Sequence, residues 1–182
     1  MTPNFHTIGH SNRSLADFLA LLRAAGAGGV ADVRAFPHSR AMPQFDGEAL
    51  DATLTSRGLA YRHFPALGGR RPATAGIPAA ANAWWENRSF HHYADYATTP
   101  AFRAGLAELL AWDAGRPAAV MCAEAVWWRC HRRIVTDYLI AAGCTVFHIL
   151  AEDAVKLARI TPGAVARGDG ALLYPAAAEP AP

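Results

Sequence analysis

Short apolar runs rich in β-branched residues alternate with segments of helical period, and no other feature of the chain restricts its fold so strongly. Parallel strands need long crossovers, usually helices, so the alternation predicts a single three-layer α/β domain with a mostly parallel five-stranded sheet flanked by helices. The strands are expected at Phe5–Gly9, Gly29–Arg34, Leu59–Phe64, Ala118–Ala123 and Thr145–Leu150. Rules that set consecutive strands side by side give the order 3-2-1-4-5. Ser14 caps a helix with Asp17 in the reciprocal position, and Leu15, Phe18, Leu19 and Leu22 share its apolar face up to Gly26. Asp46 opens a second helix that ends at Gly58. Thr99 and Pro100 supply a cap and a first-turn proline before Phe102, Leu106, Leu109 and Leu110, with Gly115 as the stop. Another helix runs to Gly143, and a short one is expected near Asp153–Ala158.

Composition agrees with one domain. Of 182 residues, 52% are hydrophobic and 18% charged, which excludes a disordered or fibrous chain. The domain is expected over residues 1–174, with a flexible Pro/Ala tail over 175–182. No apolar run is long enough to span a membrane, and MTPNFHTIGH lacks a basic stretch followed by an apolar core. The expectation is a cytoplasmic protein with no membrane partner, its Cys122, Cys130 and Cys144 held as reduced thiols.

One stretch breaks the rhythm. Residues 68–89, GGRRPATAGIPAAANAWWENRS, have no clear period, and long irregular loops in compact domains are usually functional or disordered. They are read as a flap over an active site, the alternative being an irregular segment whose Trp84 and Trp85 fill the core. The same middle region is basic: residues 57–133 hold ten Arg and five acids. That surplus suits an anionic ligand better than a coat of nucleic acid.

Ligands of parallel α/β sheets sit beyond the carboxyl ends of the strands. His10 and Ser11 follow strand one, Arg34 ends strand two with Pro37, His38 and Ser39 after it, and Cys122 and Glu124 end strand four. In the segment MCAEAVWWRCHRRIVTDYLIAAG, Cys122 faces a helix start, where the dipole and nearby cations stabilise a thiolate. Arg129, Arg132 and Arg133 occupy the same first turns, where the dipole disfavours positive charge, so a bound anion would offset them; Glu124 and other acids are the alternative partners. His131 shares a face with Ile134, Val135 and Tyr138 and is either a core histidine or a base for Cys122. Cys130 reads as a small buried hydrophobe rather than a resolving thiol, and Cys144 and His148 read as core. Asp32 and Arg34 share one sheet face as an ion pair, unless Arg34 holds substrate. No tight metal-ligand spacing occurs, so no metal and no cofactor are expected. Six residues separate Cys122 from Arg129, one more than in the phosphate loop of cysteine phosphatases, so that mechanism is not assumed.

TIGHS, DVRAFPHSR followed by Phe45, LGGRR, MCAE, CHRR and VFHI, in this order, resemble domain-of-unknown-function family 488 from about Phe5 to Ile149. The resemblance implies one α/β domain. It points to Gly9, His10, Ser11, Arg34, Pro37, Ser39, Gly68, Gly69, Arg70, Cys122, Glu124, Cys130, His131 and Arg132, and it implies no reaction.

The functional expectation is an enzyme for a small anionic or nucleotide-like substrate. Cys122 would be the nucleophile or redox thiol with His131 or Glu124 as proton carrier. Gly9, His10, Ser11, Arg34, Ser39, Arg70 and Arg132 would bind the substrate. The alternative is a non-catalytic nucleic-acid or nucleotide binding module, in which Trp84, Trp85, Trp127 and Trp128 stack bases between arginines. A metal-stabilised structural domain is a third reading.

Overall fold

The computed structural model describes residues 4–176. The sheet contains strands β1 (Asn4–Gly9), β2 (Gly29–Asp32), β3 (Ala60–His63), β4 (Ala118–Cys122), β5 (Thr145–Ala151) and β6 (Ala154–Leu157). Around it lie α1 (Leu15–Ala24), α2 (Gly47–Thr55), α3 (Arg88–Ala97), α4 (Pro100–Ala111) and α5 (Arg132–Ala141). A two-stranded ribbon, β7 (Val165–Ala166) with β8 (Leu172–Leu173), completes the fold. The α/β class holds, with six strands in the main sheet rather than five.

Strand order is β3-β2-β4-β1-β5-β6, all parallel except the antiparallel β5–β6 hairpin. The expected order set β1 beside β2; instead β4 lies between them. Its residues AAVMC are buried throughout, and a strand apolar on both faces belongs in the middle of a parallel sheet. The edge strand β3, AYRH, leaves Arg62 exposed. As a result the chain leaves β1 through α1 toward one edge and leaves β4 through α5 toward the other. The carboxyl ends of β1 and β4, paired at Gly9 and Cys122, are therefore the point where the winding reverses.

Period-two alternation divides the core between the two sheet faces. Ile8, Val30, Ala119, Met121 and Ile149 pack against α1 and α2, through Phe18, Leu22, Leu50 and Leu54. Phe5, Ala31, Val120, Cys122 and Val146 face α3, α4 and α5, through Tyr93, Phe102, Ile134 and Tyr138. By this parity the Cys122 thiol emerges on the side where α5 begins.

Three local expectations change. The helix expected near Asp153–Ala158 is the edge strand β6, because six residues are too few to hold a helix alone while β5 offers an open edge to pair with. The helix α3 was not foreseen, although Asn87 caps it through Ser89 N–H at 2.9 Å and Phe90, Tyr93, Ala94 and Ala97 follow helical spacing. Trp84 and Trp85 do not form a flap. Trp85 is buried against Phe90 and Tyr174, and the backbone N–H of Trp84 donates to the Tyr174 carbonyl at 2.9 Å. Of the tail, residues 177–182 lie outside the described residues.

Candidate functional site

Beyond the ends of β1, β2 and β4 lies a cavity of about 390 Å³. Its lining includes His10, Arg34, Ser39, Arg70, Cys122, Glu124 and His131, so seven of the ten residues expected at the site converge. Gly9, Ser11 and Arg132 do not line it. Gly9 serves close approach: a Cβ there would lie 1.8 Å from the Glu124 carbonyl oxygen, so only glycine lets the turn after β4 cross the end of β1. Ser11 takes a left-handed φ of 45° and donates its backbone N–H to the Ala123 carbonyl at 2.9 Å, which ties the same two loops together.

Arg132 is the largest correction. It is not a clamp on the pocket wall but is 1% exposed behind it. Its Nε donates to Cys122 Sγ at 3.0 Å and its Nη2 to the Glu124 carbonyl at 2.7 Å. No carboxylate pairs with it among the described residues. A buried guanidinium without a counter-charge is costly, and the groups placed to supply one are thiols. Cys130, read as a passive hydrophobe, proves to line the same cavity as Cys122, and each sulfur accepts an N–H of Arg132.

Each sulfur has its own donors. Cys122 Sγ accepts from Glu124 N–H at 3.3 Å as well as from Arg132. Cys130 Sγ accepts from Arg132 backbone N–H at 3.4 Å, at the start of α5, and lies 3.5 Å from His131 Nδ1. His131 Nε2 donates to the Val33 carbonyl at 2.9 Å, which turns Nδ1 toward Cys130. His131 Nδ1 thus faces Cys130 Sγ, and no hydrogen bond joins it to Cys122 among the described residues. Burial and the adjoining sulfur hold Cys122 well above the ordinary thiol range. Burial opposes ionisation of Cys130 too, but Cys122, His131 and Arg132 together bring it well below that range.

The walls mix apolar and polar residues and carry three arginines, Arg34, Arg70 and Arg129, against one carboxylate, Glu124. Arg34 is bound by Asp32 through Nε at 2.9 Å and Nη2 at 2.6 Å, and Tyr61 also donates to Asp32 at 2.8 Å. Arg34 is therefore both the ion pair and a lining residue, with Nη1 3.4 Å from His10 Nε2. Burial lowers the His10 pKa, so its ring, stacked on Phe45, is a neutral wall. Ser39 holds its own loop, receiving Met42 N–H on Oγ and giving its backbone N–H to Asp46. That bond diverts the Asp46 carboxylate from capping α2, which it precedes. Glu124 contributes its backbone to the sulfur while its side chain is exposed. Arg70, at a left-handed φ of 58°, and Arg129 line the cavity without a carboxylate partner among the described residues.

Other lining residues were not foreseen. Tyr93 comes from the unforeseen α3 and stands 4.9 Å from the His131 ring. Phe36, 69% exposed, sits at the mouth. Gly69 lets the 68–71 turn close on His131, whose Nδ1 would be 2.8 Å from a Cβ there. The tryptophans proposed as base-stacking platforms are mostly committed to packing. Trp127 stacks on buried His148 at 4.3 Å, and the rings of Trp84, Trp85 and Trp127 surround Arg133. Trp128 is the exposed one. No group of three or more His, Cys, Asp or Glu side chains is placed to hold a metal ion among the described residues.

A mostly parallel α/β sheet with thiols and cations gathered where its winding reverses defines an α/β protein whose site is built at the carboxyl ends of its strands. The particular family follows from residues 14–139: the chain belongs to the family described as domain of unknown function DUF488. The TIGHS and VFHI motifs lie wholly outside the matched span. No curated protein and no solved structure matches the chain.

Proposed function

We propose that the chain is an enzyme for a small anionic or nucleotide-like substrate, with the Cys122–Cys130 pair as its reacting group. The observation that carries this reading is the buried Arg132, whose Nε lies 3.0 Å from Cys122 Sγ and whose counter-charge must come from the pair. Cys130 is the sulfur that attacks, His131 Nδ1 exchanges its proton, and Cys122 is the second thiol, in place of Cys122 alone. Arg70 and Arg129, neither paired with a carboxylate among the described residues, favour an anion in the cavity, and about 390 Å³ is within the usual size of small-molecule sites. Glu124 remains a candidate proton carrier at the rim, since its carboxylate faces solvent beside the thiols.

The test is the alkylation rate of each cysteine against pH, followed by mass spectrometry, with inorganic phosphate or a nucleoside monophosphate added. Cys130 should react as a thiolate below the free-thiol pKa of about 8.5, and the anions should slow it. If its rate follows an ordinary thiol titration and neither anion protects it, the reading fails.

A further inference from the structure

Two cysteines that line one cavity and both accept an N–H of a single buried arginine contain the parts of a dithiol–disulfide couple. Both line the cavity, yet Cys122 is 2% and Cys130 is 4% exposed, so a macromolecular disulfide has no access to either sulfur. A slender oxidant has. We propose that Cys122 and Cys130 are a redox pair that reduces small hydroperoxides, with Cys130 as the attacking thiolate and Cys122 as the resolving thiol. The proposal rests on the thiol-pair reading above and adds to it the class of oxidant and the fate of the second sulfur.

In the first step the Cys130 thiolate attacks the outer oxygen of the hydroperoxide. A sulfur–oxygen bond forms, the oxygen–oxygen bond breaks, and the alkoxide or hydroxide leaves with a proton supplied by His131 Nδ1 or water. Cys130 is now a sulfenic acid, oxidised by two electrons, and the peroxide has been reduced by two. In the second step Cys122 loses its proton and attacks the Cys130 sulfur. The sulfur–sulfur bond forms, the sulfur–oxygen bond breaks, and water leaves. The sum converts two thiols and one hydroperoxide into a disulfide, an alcohol and water. A small dithiol reductant returns the pair to its starting state.

Arg132 gives the couple its direction. In the dithiol state the guanidinium lies against a sulfur pair that bears a negative charge; in the disulfide that charge is gone and the buried cation is unpaired. Stabilising the reduced form makes a disulfide easily reduced, unlike a structural cross-link. Cys144 lies at the opposite end of the sheet, entering β5, and is the internal control.

The test treats the full chain with hydrogen peroxide at neutral pH and maps its peptides without reduction. The expected product is a Cys122–Cys130 disulfide formed with about one equivalent of peroxide, reversed by dithiothreitol, with Cys144 still free. Cys122→Ser should stop at a sulfenic acid on Cys130, trapped by dimedone, and Cys130→Ser should slow peroxide consumption by about tenfold or more. First oxidation at Cys122 or Cys144, or over-oxidation of Cys130 without a disulfide, overturns the proposal. Mapping the unsubstituted chain decides the matter even if a variant does not fold. Anion protection separates the two ideas: a disulfide without phosphate protection keeps the redox pair and removes the anionic substrate, and protection without a disulfide does the reverse.

Discussion

At the scale of single residues, the site depends on two buried cations with different partners. Arg34 has a carboxylate, and Asp32→Asn would leave it unpaired in the interior, at a cost of about 3–5 kcal/mol in urea unfolding. Arg132 has sulfur. Arg132→Met keeps the volume and removes the charge, so the pair should give up its first proton less readily and the midpoint of the Cys130 alkylation profile should rise by about one pH unit. A purely structural arginine would change stability and leave that profile in place. Cys122 and Arg34 were legible in the sequence because the first ends a strand and the second follows one by two residues. The pairing of Cys122 with Cys130 was not, because the turn that brings Cys130 back follows no period, and an isolated cysteine before a helix reads as packing.

At the scale of elements, caps and close approaches tie local sequence to the site. Ser14 Oγ accepts Asp17 N–H at 3.0 Å, and Ser14→Ala should cost about 1 kcal/mol, with little effect on thiol reactivity since α1 packs on the other sheet face. Gly9→Ala should act in the opposite manner. Its Cβ would meet the Glu124 carbonyl, so the 122–125 turn must move, and the distinctive Cys130 reactivity should be lost along with stability; an unchanged alkylation profile would show that the crossing is not needed. The caps at Ser14 and Thr99 were readable as local hydrogen-bond chemistry, and both occur as expected. The α3 helix was hidden within an irregular run of Gly, Pro and Trp although its Asn87 cap and apolar stripe are present. Short runs such as Ala154–Leu157 have no period of their own, and the open edge of β5 decides them.

For the whole molecule, acid stability should reflect buried neutral histidines. Burial, with a smaller contribution from Arg132, lowers His148 from the usual 6.5 to about 4. Between these values the unfolded chain binds a proton that the folded chain refuses, so the stabilisation is complete above pH 6.5 and falls as the pH drops toward 4. The loss from this group is at most about 3 kcal/mol. His6 and His10, also lowered by burial, act in the same sense. Urea unfolding at pH 7, 5 and 4 should show the decline, and His148→Gln should flatten it. The C-terminal segment is a second molecular feature: Tyr174 is buried, donates to Asp137 at 3.0 Å and covers Trp85, so the domain needs its chain through this residue. No helix among the described residues is long and apolar enough to cross a membrane.

The sequence by itself determined the α/β class, five of the six strands of the main sheet, the caps of α1 and α4, and the carboxyl edge as the place where polar residues gather. Those are consequences of local periodicity and of side chains hydrogen-bonding to their own backbone, which act over a few residues. Only the tertiary structure decided that β4 stands between β1 and β2, that Arg132 turns inward to sulfur, that Trp85 fills the core, and that Cys130 joins Cys122 in the cavity lining. Each depends on burial shared between segments far apart in the chain, and such competition for the interior leaves no periodic mark in a single sequence.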